Sequence, residues 1–317
     1  MLENYNLKRI LKKRKRIRKE DDGQILTKRS TSEKIIFGFV FVVFFVYAAS
    51  LIYPLIYLVV NSFQTPLDYF NNLVSGKPFA IPKEWQFVNY KTAFTGMYAI
   101  NSLGDKVYMP EMIFNSIWFC GVSMISVVGH AVTGYVFSRY KFPGNRFIHG
   151  FVIFTITIPI MGTGGSTFVL YNNLGLYNTP LFLLPTLVSW FGFNFLLMYG
   201  FYKNVPWNYA EAVFIDGGGH FTAFFKVMLP QATPMLTTFA ILSWIGSWND
   251  YLTPLLYLPD YPTLASGLYR IQSSFTRTGN VPAFFAGLIV STVPILILFA
   301  CTSEKIMKNI GIGGLKG

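Results

Sequence analysis

The chain has 317 residues, of which 52% are apolar and only 13% charged, and its formal net charge is +12. Several apolar runs exceed the ~20 residues needed to cross about 30 Å of hydrocarbon, which excludes a soluble globular protein and points to an integral membrane protein. The charge is concentrated: Lys8, Arg9, Lys12 to Arg16, Arg18 and Lys19 precede the first apolar run, where a cytoplasmic anchor on anionic lipid fits better than a nucleic-acid arm.

Residues 1–34 form this basic arm. The first span is read over 35–60, which is longer than the apolar core of a cleaved signal, and Pro54 is tolerated inside it. Residues 61–110 mix Asn61, Asp68, Lys83, Glu84 and Asp105 without a continuous apolar run, and are placed outside. Within them Trp85, Phe87, Tyr90 and Phe94 either lie along the membrane interface on a short helix or pack beneath a loop. The second span covers 112–137. The turn that follows holds Arg139, Lys141 and Arg146 around Pro143-Gly144 with no acid, which places it inside.

The third span, 147–170, contains Pro159 and the small residues Gly162, Gly164, Gly165 and Ser166, suited either to close helix contact or to a broken helix. An uncharged link, 171–180, leads outside to the fourth span, 181–201. The fifth span, 224–248, carries Pro230 and Pro234, which predict bent first turns. Residues 249–281 form an outer excursion, 282–301 the sixth span, and 302–317 a basic inner tail. Six spans with both termini inside agree with every basic loop, so the fold class is an all-α integral membrane protein in the plasma membrane. Cys120 and Cys301 both fall in spans and read as small buried apolar residues, not a disulfide.

Residues 204–220 are too polar and Gly-rich to span. Pro206 suits the first turn of a helix, while Asn208 and Glu211 have capping-box spacing, so the helix starts at one or the other. Trp207, Ala210 and Phe214 share one face, and Gly217-Gly218-Gly219 ends the helix. The chain then re-enters the membrane at Leu229-Pro230. On these residues alone, the stretch is as readily a plain cap and turn as a functional element. Elsewhere His130 lies mid-span, where a lone His is more often a helix–helix hydrogen bonder than a proton relay. His149 and His220 sit near inner span ends. No H-E-x-x-H, Cys/His cluster or G-x-S-x-G occurs, and Gly217 to Lys226 lacks P-loop spacing. No catalytic residue, metal site or ATP site is expected in this chain.

Glu211-Ala212-Val213, Gly217, Val227 and Leu229-Pro230 resemble the EAA motif of binding-protein-dependent ABC importer permeases: E-A-A, three residues, G, nine residues, I, one residue, L-P. All spacings match; Val213 stands for the third Ala and Val227 for Ile. Asp216-Gly217 resembles the D-G-A of sugar permeases, with Gly218 in place of the Ala. Tyr135 to Arg139 with the Phe142-Pro143-Gly144 turn, Ser247 to Tyr251, and Gly313 to Gly317 extend the resemblance, which runs from about Lys34 to the end and is closest to carbohydrate permeases of the maltose-permease type. It implies a type I ABC importer permease fold. It also implies a coupling helix, with Glu211, Ala212, Phe214, Asp216, Gly217, Leu229 and Pro230 at the docking site of a cytoplasmic ATPase. The implied partners are a second homologous permease in a heterodimer, two ATPase subunits that hold ATP and Mg, and an extracellular or periplasmic solute-binding protein that contacts residues 249–281. If they face the pathway, Trp190, Phe191, Phe193, Asn194, Trp244 and Trp248 are candidates for sugar contact, although packing or lipid contact is the commoner use of such rings. The competing reading is an ion- or proton-coupled secondary transporter, against which stands the scarcity of ionisable residues in the spans.

Overall fold

The structure is a computed structural model that describes residues 31–158, 162–278 and 280–313. Residues 1–30 of the basic arm, Pro159 of the third span and residues 314–317 of the tail lie outside the described residues. The chain divides into two compact units, Met1–Ile56 and Tyr57–Gly317. In the first, the described part is the long start of helix α1 (Thr31–Ser62), whose apolar side chains from Ile35 to Ile56 are exposed. A helix apolar on all sides is stable in hydrocarbon and not in water.

The second unit holds the other elements. They are α2 (Pro66–Val74), α3 (Val88–Gly96), a hairpin of β1 (Tyr98–Ile100) and β2 (Lys106–Tyr108), α4 (Met109–Arg139), α5 (Asn145–Thr157) and α6 (Gly164–Asn173). After these come a 3-10 turn (Pro180–Leu183), α7 (Leu184–Val188), α8 (Phe193–Asn204), α9 (Asn208–Ile215), α10 (Leu229–Asn249), α11 (Leu252–Tyr257), α12 (Leu264–Thr278) and α13 (Val281–Gly313). The chain is therefore all-helical apart from one antiparallel hairpin among the described residues. Among the described residues, four segments are long and apolar enough to cross a membrane: Thr31–Ser62, Met109–Arg139, Pro180–Asn204 and Val281–Ser303.

The expected third span is divided, α5 ending at Thr157 and α6 beginning at Gly164. Of the two readings of its Pro and Gly residues, the broken helix is the one observed. The fourth is interrupted as well, at 189–192. Before α10 the chain makes a π-helical turn, Ala223–Met228. Pro230 accounts for it: its ring cannot donate to the Lys226 carbonyl and pushes it aside, so the turn widens.

Helix α4 organises the second unit, because it contributes to all three buried clusters. Met109, Met112 and Cys120 pack with Trp248, Leu264 and Phe284; Val127, Ala131 and Tyr135 pack with Met198, Tyr202 and Met228; Phe119 packs with Phe182, Tyr257 and Leu258. Gly134 allows α8 to approach, since a Cβ there would meet the Met198 Cβ at 2.6 Å. The two cysteines are free: Cys120 is buried as expected, but Cys301 is exposed, because this stretch of α13 turns its apolar surface outward.

The polar 61–96 stretch is ordered by amide side chains. Asn89 Nδ2 donates to the Ser62 and Gln64 carbonyls at 2.8 and 2.9 Å, and Asn61 Nδ2 to the Tyr57 and Pro78 carbonyls at 2.8 and 3.0 Å. Buried amides satisfied in this way take the place of a ladder of backbone bonds. The rings of Trp85, Phe87 and Tyr90 gather on Phe63 at 5.1, 5.2 and 5.2 Å, yet Trp85 and Phe87 stay 55% and 69% exposed, so one cluster serves both of the readings left open.

Near the start of α4, three segments meet on Asp260. Its carboxylate accepts from the Ser102 backbone N–H at 2.8 Å, from the Ser102 hydroxyl and from Asn178 Nδ2, and its own N–H donates to Asn178 Oδ1 at 2.9 Å. Arg270 completes the knot by donating to the Ile100 and Pro259 carbonyls at 3.1 and 3.0 Å. Partial burial would raise the Asp260 pKa, but the bonds from Ser102 and Asn178 and the charge of Arg270 outweigh it and hold the carboxyl below its ordinary range.

Candidate functional site

At the other end of α4 lies the stretch 204–222. Helix α9 begins at Asn208, with Trp207 as a cap that makes no side-chain hydrogen bond. Neither proposed start is made: Pro206 precedes the helix, and Asn208 is its first residue, not a capping box. The far end is closed by a Schellman pair. Gly218 N–H donates to the Val213 carbonyl at 2.8 Å and Gly217 N–H to the Phe214 carbonyl at 3.1 Å. Gly217 sits at φ +81°, in the left-handed region, so its glycine is required by the turn itself.

Burial separates two faces of α9. Ala210 is fully buried and Trp207, Val213 and Phe214 are half-buried, while Asn208, Tyr209, Glu211, Ala212, Ile215 and Asp216 are exposed. Phe214 thus faces inward: its ring lies 5.0 Å from that of His220 and 6.1 Å from that of Trp207. It fastens the helix instead of presenting itself for docking. Glu211 forms no side-chain hydrogen bond or ion pair among the described residues. Beside it Ile215 and Phe221 are 85% and 82% exposed, an apolar pair of a kind that marks an interaction surface. Periodicity on Trp207, Ala210 and Phe214 finds the inner face and leaves Ile215 and Phe221 unassigned. Ile215 lies off that face at the end of the helix, and Phe221 follows the glycine turn, where no periodicity reports it.

Leu229 and Pro230 open α10, joined to α9 by the glycine turn and the π segment. His220, expected at a span end, meets the Tyr140 ring edge-to-face at 5.4 Å and shares a hydrogen bond with its hydroxyl at 2.9 Å. His149 packs its ring 4.4 Å from Tyr199. His130 bonds through Nδ1 to the Ser126 carbonyl, 3.0 Å away on its own helix, and so is an intrahelical bonder.

The pathway candidates fall in two places. Trp190 lies in the break between α7 and α8, and Asn194 in the first turn after it. Trp190 is 42% exposed, its ring lies against Gly129, and its carbonyl accepts from Thr133 Oγ1 at 3.0 Å; Asn194 is half-buried. Trp248 is 4% exposed, stacks on Trp244 at 6.0 Å and donates its indole N–H to the Ser291 carbonyl at 3.0 Å. In this conformation Trp244 and Trp248 pack α10 against its neighbours, so the accessible candidates are Trp190, Phe191, Phe193 and, in part, Asn194. The described residues include no cluster of metal-ligating side chains.

Residues 126–302 match the family described as binding-protein-dependent transport system inner membrane component. The chain belongs to that family. As an inner-membrane component it is a permease, a transport component and not an enzyme, and membership implies a solute-binding protein and ATPase subunits as partners. It is 30% identical over 269 residues to the diacetylchitobiose uptake system permease protein of Streptomyces coelicolor, covering 83% of each chain. It is 29% identical to the arabinooligosaccharides transport system permease protein of Halalkalibacterium halodurans, covering 88% of this chain and 95% of that one. The galactooligosaccharides transport system permease protein of Bacillus subtilis is 26% identical, with 90% and 96% covered. The crystal structure of a bacterial ABC transporter involved in the import of the acidic polysaccharide alginate matches with a TM-score of 0.70 at 19% identity, over 88% of this chain and 99% of that one. The fold is therefore that of an ABC importer permease, and membership in this family displaces the ion-coupled alternative.

Proposed function

We propose that this permease forms half of a translocation pathway for a sugar or oligosaccharide, paired with a second homologous permease and driven by two ATPase subunits. The observation that carries the mechanism is α9: a short helix, locked on its inner face, that presents Glu211, Ala212, Ile215 and Asp216 outward at the junction of α8 and α10. Such a helix fits a cleft on an ATPase, where unpaired Glu211 meets a basic or polar group and the exposed Ile215 and Phe221 lose contact with water. Closure of the ATPase pair then moves α9 as a rigid body and tilts the attached helices, switching access from one side to the other. ATP and Mg stay on the ATPase subunits. The sugar cargo is supported by the relatives' printed substrates, diacetylchitobiose and arabino- and galacto-oligosaccharides. The reading also holds that both termini are cytoplasmic, that the chain crosses the membrane six times, and that residues 249–281 meet the solute-binding protein.

The test is purification of the assembled transporter with its binding protein. Glu211→Arg is expected to cut sugar-stimulated ATP hydrolysis by about tenfold or more, since reversing a paired charge costs well above the ~1.4 kcal/mol that corresponds to tenfold. Transport that survives ATP depletion but collapses with the proton gradient would sink this function.

A further inference from the structure

Two consecutive residues at the end of α4 hold the coupling stretch at both its ends. Arg139, the last residue of α4, donates through Nη2 to the Tyr202 and Val205 carbonyls and sets its guanidinium 5.4 Å from the Trp207 ring centroid. These partners are the end of α8 and the cap of α9. Tyr140 reaches the far end: its hydroxyl is 2.9 Å from His220 Nδ1, and its ring lies 5.4 Å from that of His220 and 6.5 Å from that of Trp207. We propose that Arg139 and Tyr140 form a two-point clamp that makes α4 move with α9, so that the ATPase motion enters the membrane directly through α4 as well as along the chain into α10. The inference rests on the reading of α9 as the docking helix; within it, both are positioning residues that touch neither ATPase nor cargo.

Two routes lead out of α9. The covalent route to α10 passes through Gly217-Gly218-Gly219 and the π turn Ala223–Met228, where the backbone leaves regular α-helix. The lateral route to α4 passes through charge-assisted hydrogen bonds and a packed group of rings. Phe214 joins that group through Trp207 and His220, and Tyr135 joins it at 5.6 Å from Tyr140. The lateral route thus gives motion of α9 a direct path into α4 beside the covalent one. The chemistry suits arginine in particular. The carbonyls at the end of α8 carry negative partial charge, that of Tyr202 already accepting the Val205 N–H at 3.3 Å, and a planar guanidinium bonds both the Tyr202 and Val205 carbonyls while lying over an indole. Beyond the clamp, α4 enters every buried cluster of the second unit, so what moves it moves the whole unit. Arg139 Nε and the Tyr202 hydroxyl are buried without a hydrogen-bond partner among the described residues, which leaves the joint bonding capacity for a second arrangement.

The experiment uses the assembled transporter in nanodiscs, with spin labels at Lys141→Cys and Asn208→Cys, two exposed positions on either side of the clamp. Distances are read without nucleotide and with ATP and vanadate, so no cargo is needed. With the clamp intact, the distribution stays narrow and does not shift between the two states. In Arg139→Gln/Tyr140→Phe it broadens and shifts on adding ATP and vanadate, while ATPase subunits stay bound and hydrolysis stays within about twofold; a hydrogen bond to a charged group corresponds to more than tenfold in an equilibrium, so its loss should be visible in the distribution. Arg139→Lys, which keeps the charge but not the fork, restores the narrow distribution only in part. A shift in the unaltered protein, or an unchanged distribution in the double variant, overturns the clamp. Where the double variant does not assemble, Tyr140→Phe decides alone by the same criterion. The docking reading fails separately, if Glu211→Arg leaves ATPase binding and hydrolysis untouched.

Discussion

At Gly218, a Cβ would meet Val213 Cγ1 at 2.6 Å and the Val213 carbonyl at 3.0 Å. Val213 cannot step aside easily, because a β-branched side chain on a helix is held in one rotamer. Two of the three departures from the resembled motif, Val for Ala at 213 and Gly for Ala at 218, are therefore one exchange of volume across the Schellman turn. Gly218→Ala alone should destabilise the chain by about 1–3 kcal/mol through overpacking. Adding Val213→Ala should recover part of this, leaving an interaction energy of at least ~0.5 kcal/mol in a double-mutant cycle of thermal unfolding. Strictly additive losses would show that the two positions are independent. The sequence makes Gly217 legible as a helix stop, because a glycine after an amphipathic run has that local meaning. The fit between 213 and 218 depends on where a turn brings them, and spacing alone does not report it.

Among elements, those with a local signal are the ones the sequence places well. Helix α10 is legible in its prolines, and the π turn ahead of it follows from the ring of Pro230. The hairpin of β1 and β2 is missed, since three-residue strands are too short for a periodic pattern; its turn is made by Asn101 Oδ1, which accepts from the N–H groups of Leu103 and Asp105 at 3.0 and 2.7 Å. The break at 189–192 is missed for another reason. The hydroxyl of Thr133, on α4, takes the Trp190 carbonyl, and that partner is distant in sequence. The Asp260 knot, also assembled from distant segments, carries a pH dependence. Its carboxyl is held below the ordinary ~3.9, so the stabilisation is complete above that value and is lost as pH falls through the lowered one. Asp260→Asn should lower the unfolding temperature near neutral pH by a few degrees and flatten the acid limb of the profile. An acid limb of unchanged slope in thermal scans from about pH 6 down through the ordinary ~3.9 would assign the acid loss to other groups.

For the whole molecule, the decisive geometry is the length of α4. It starts directly after β2, beside the Asp260 knot, and ends at Arg139, beside α9. Its 31 residues extend about 46 Å at 1.5 Å per residue, more than the ~30 Å of hydrocarbon. Lys106 and Lys141, just beyond its two ends, must therefore emerge on opposite sides if α4 spans. On the proposed orientation, which the basic turn after α4 favours, Lys141 is expected inside and Lys106 outside. With Cys120 and Cys301 replaced by Ser, a cysteine at Lys106 should react with a membrane-impermeant maleimide in intact cells, and a cysteine at Lys141 only after permeabilisation. Reaction of both from one side would mean that α4 does not cross. The reverse pattern would turn the molecule over and put α9 where no cytoplasmic ATPase reaches it, and Glu211 would then need another partner. The orientation of one helix thus decides whether the outer face of α9 meets ATPase or binding protein.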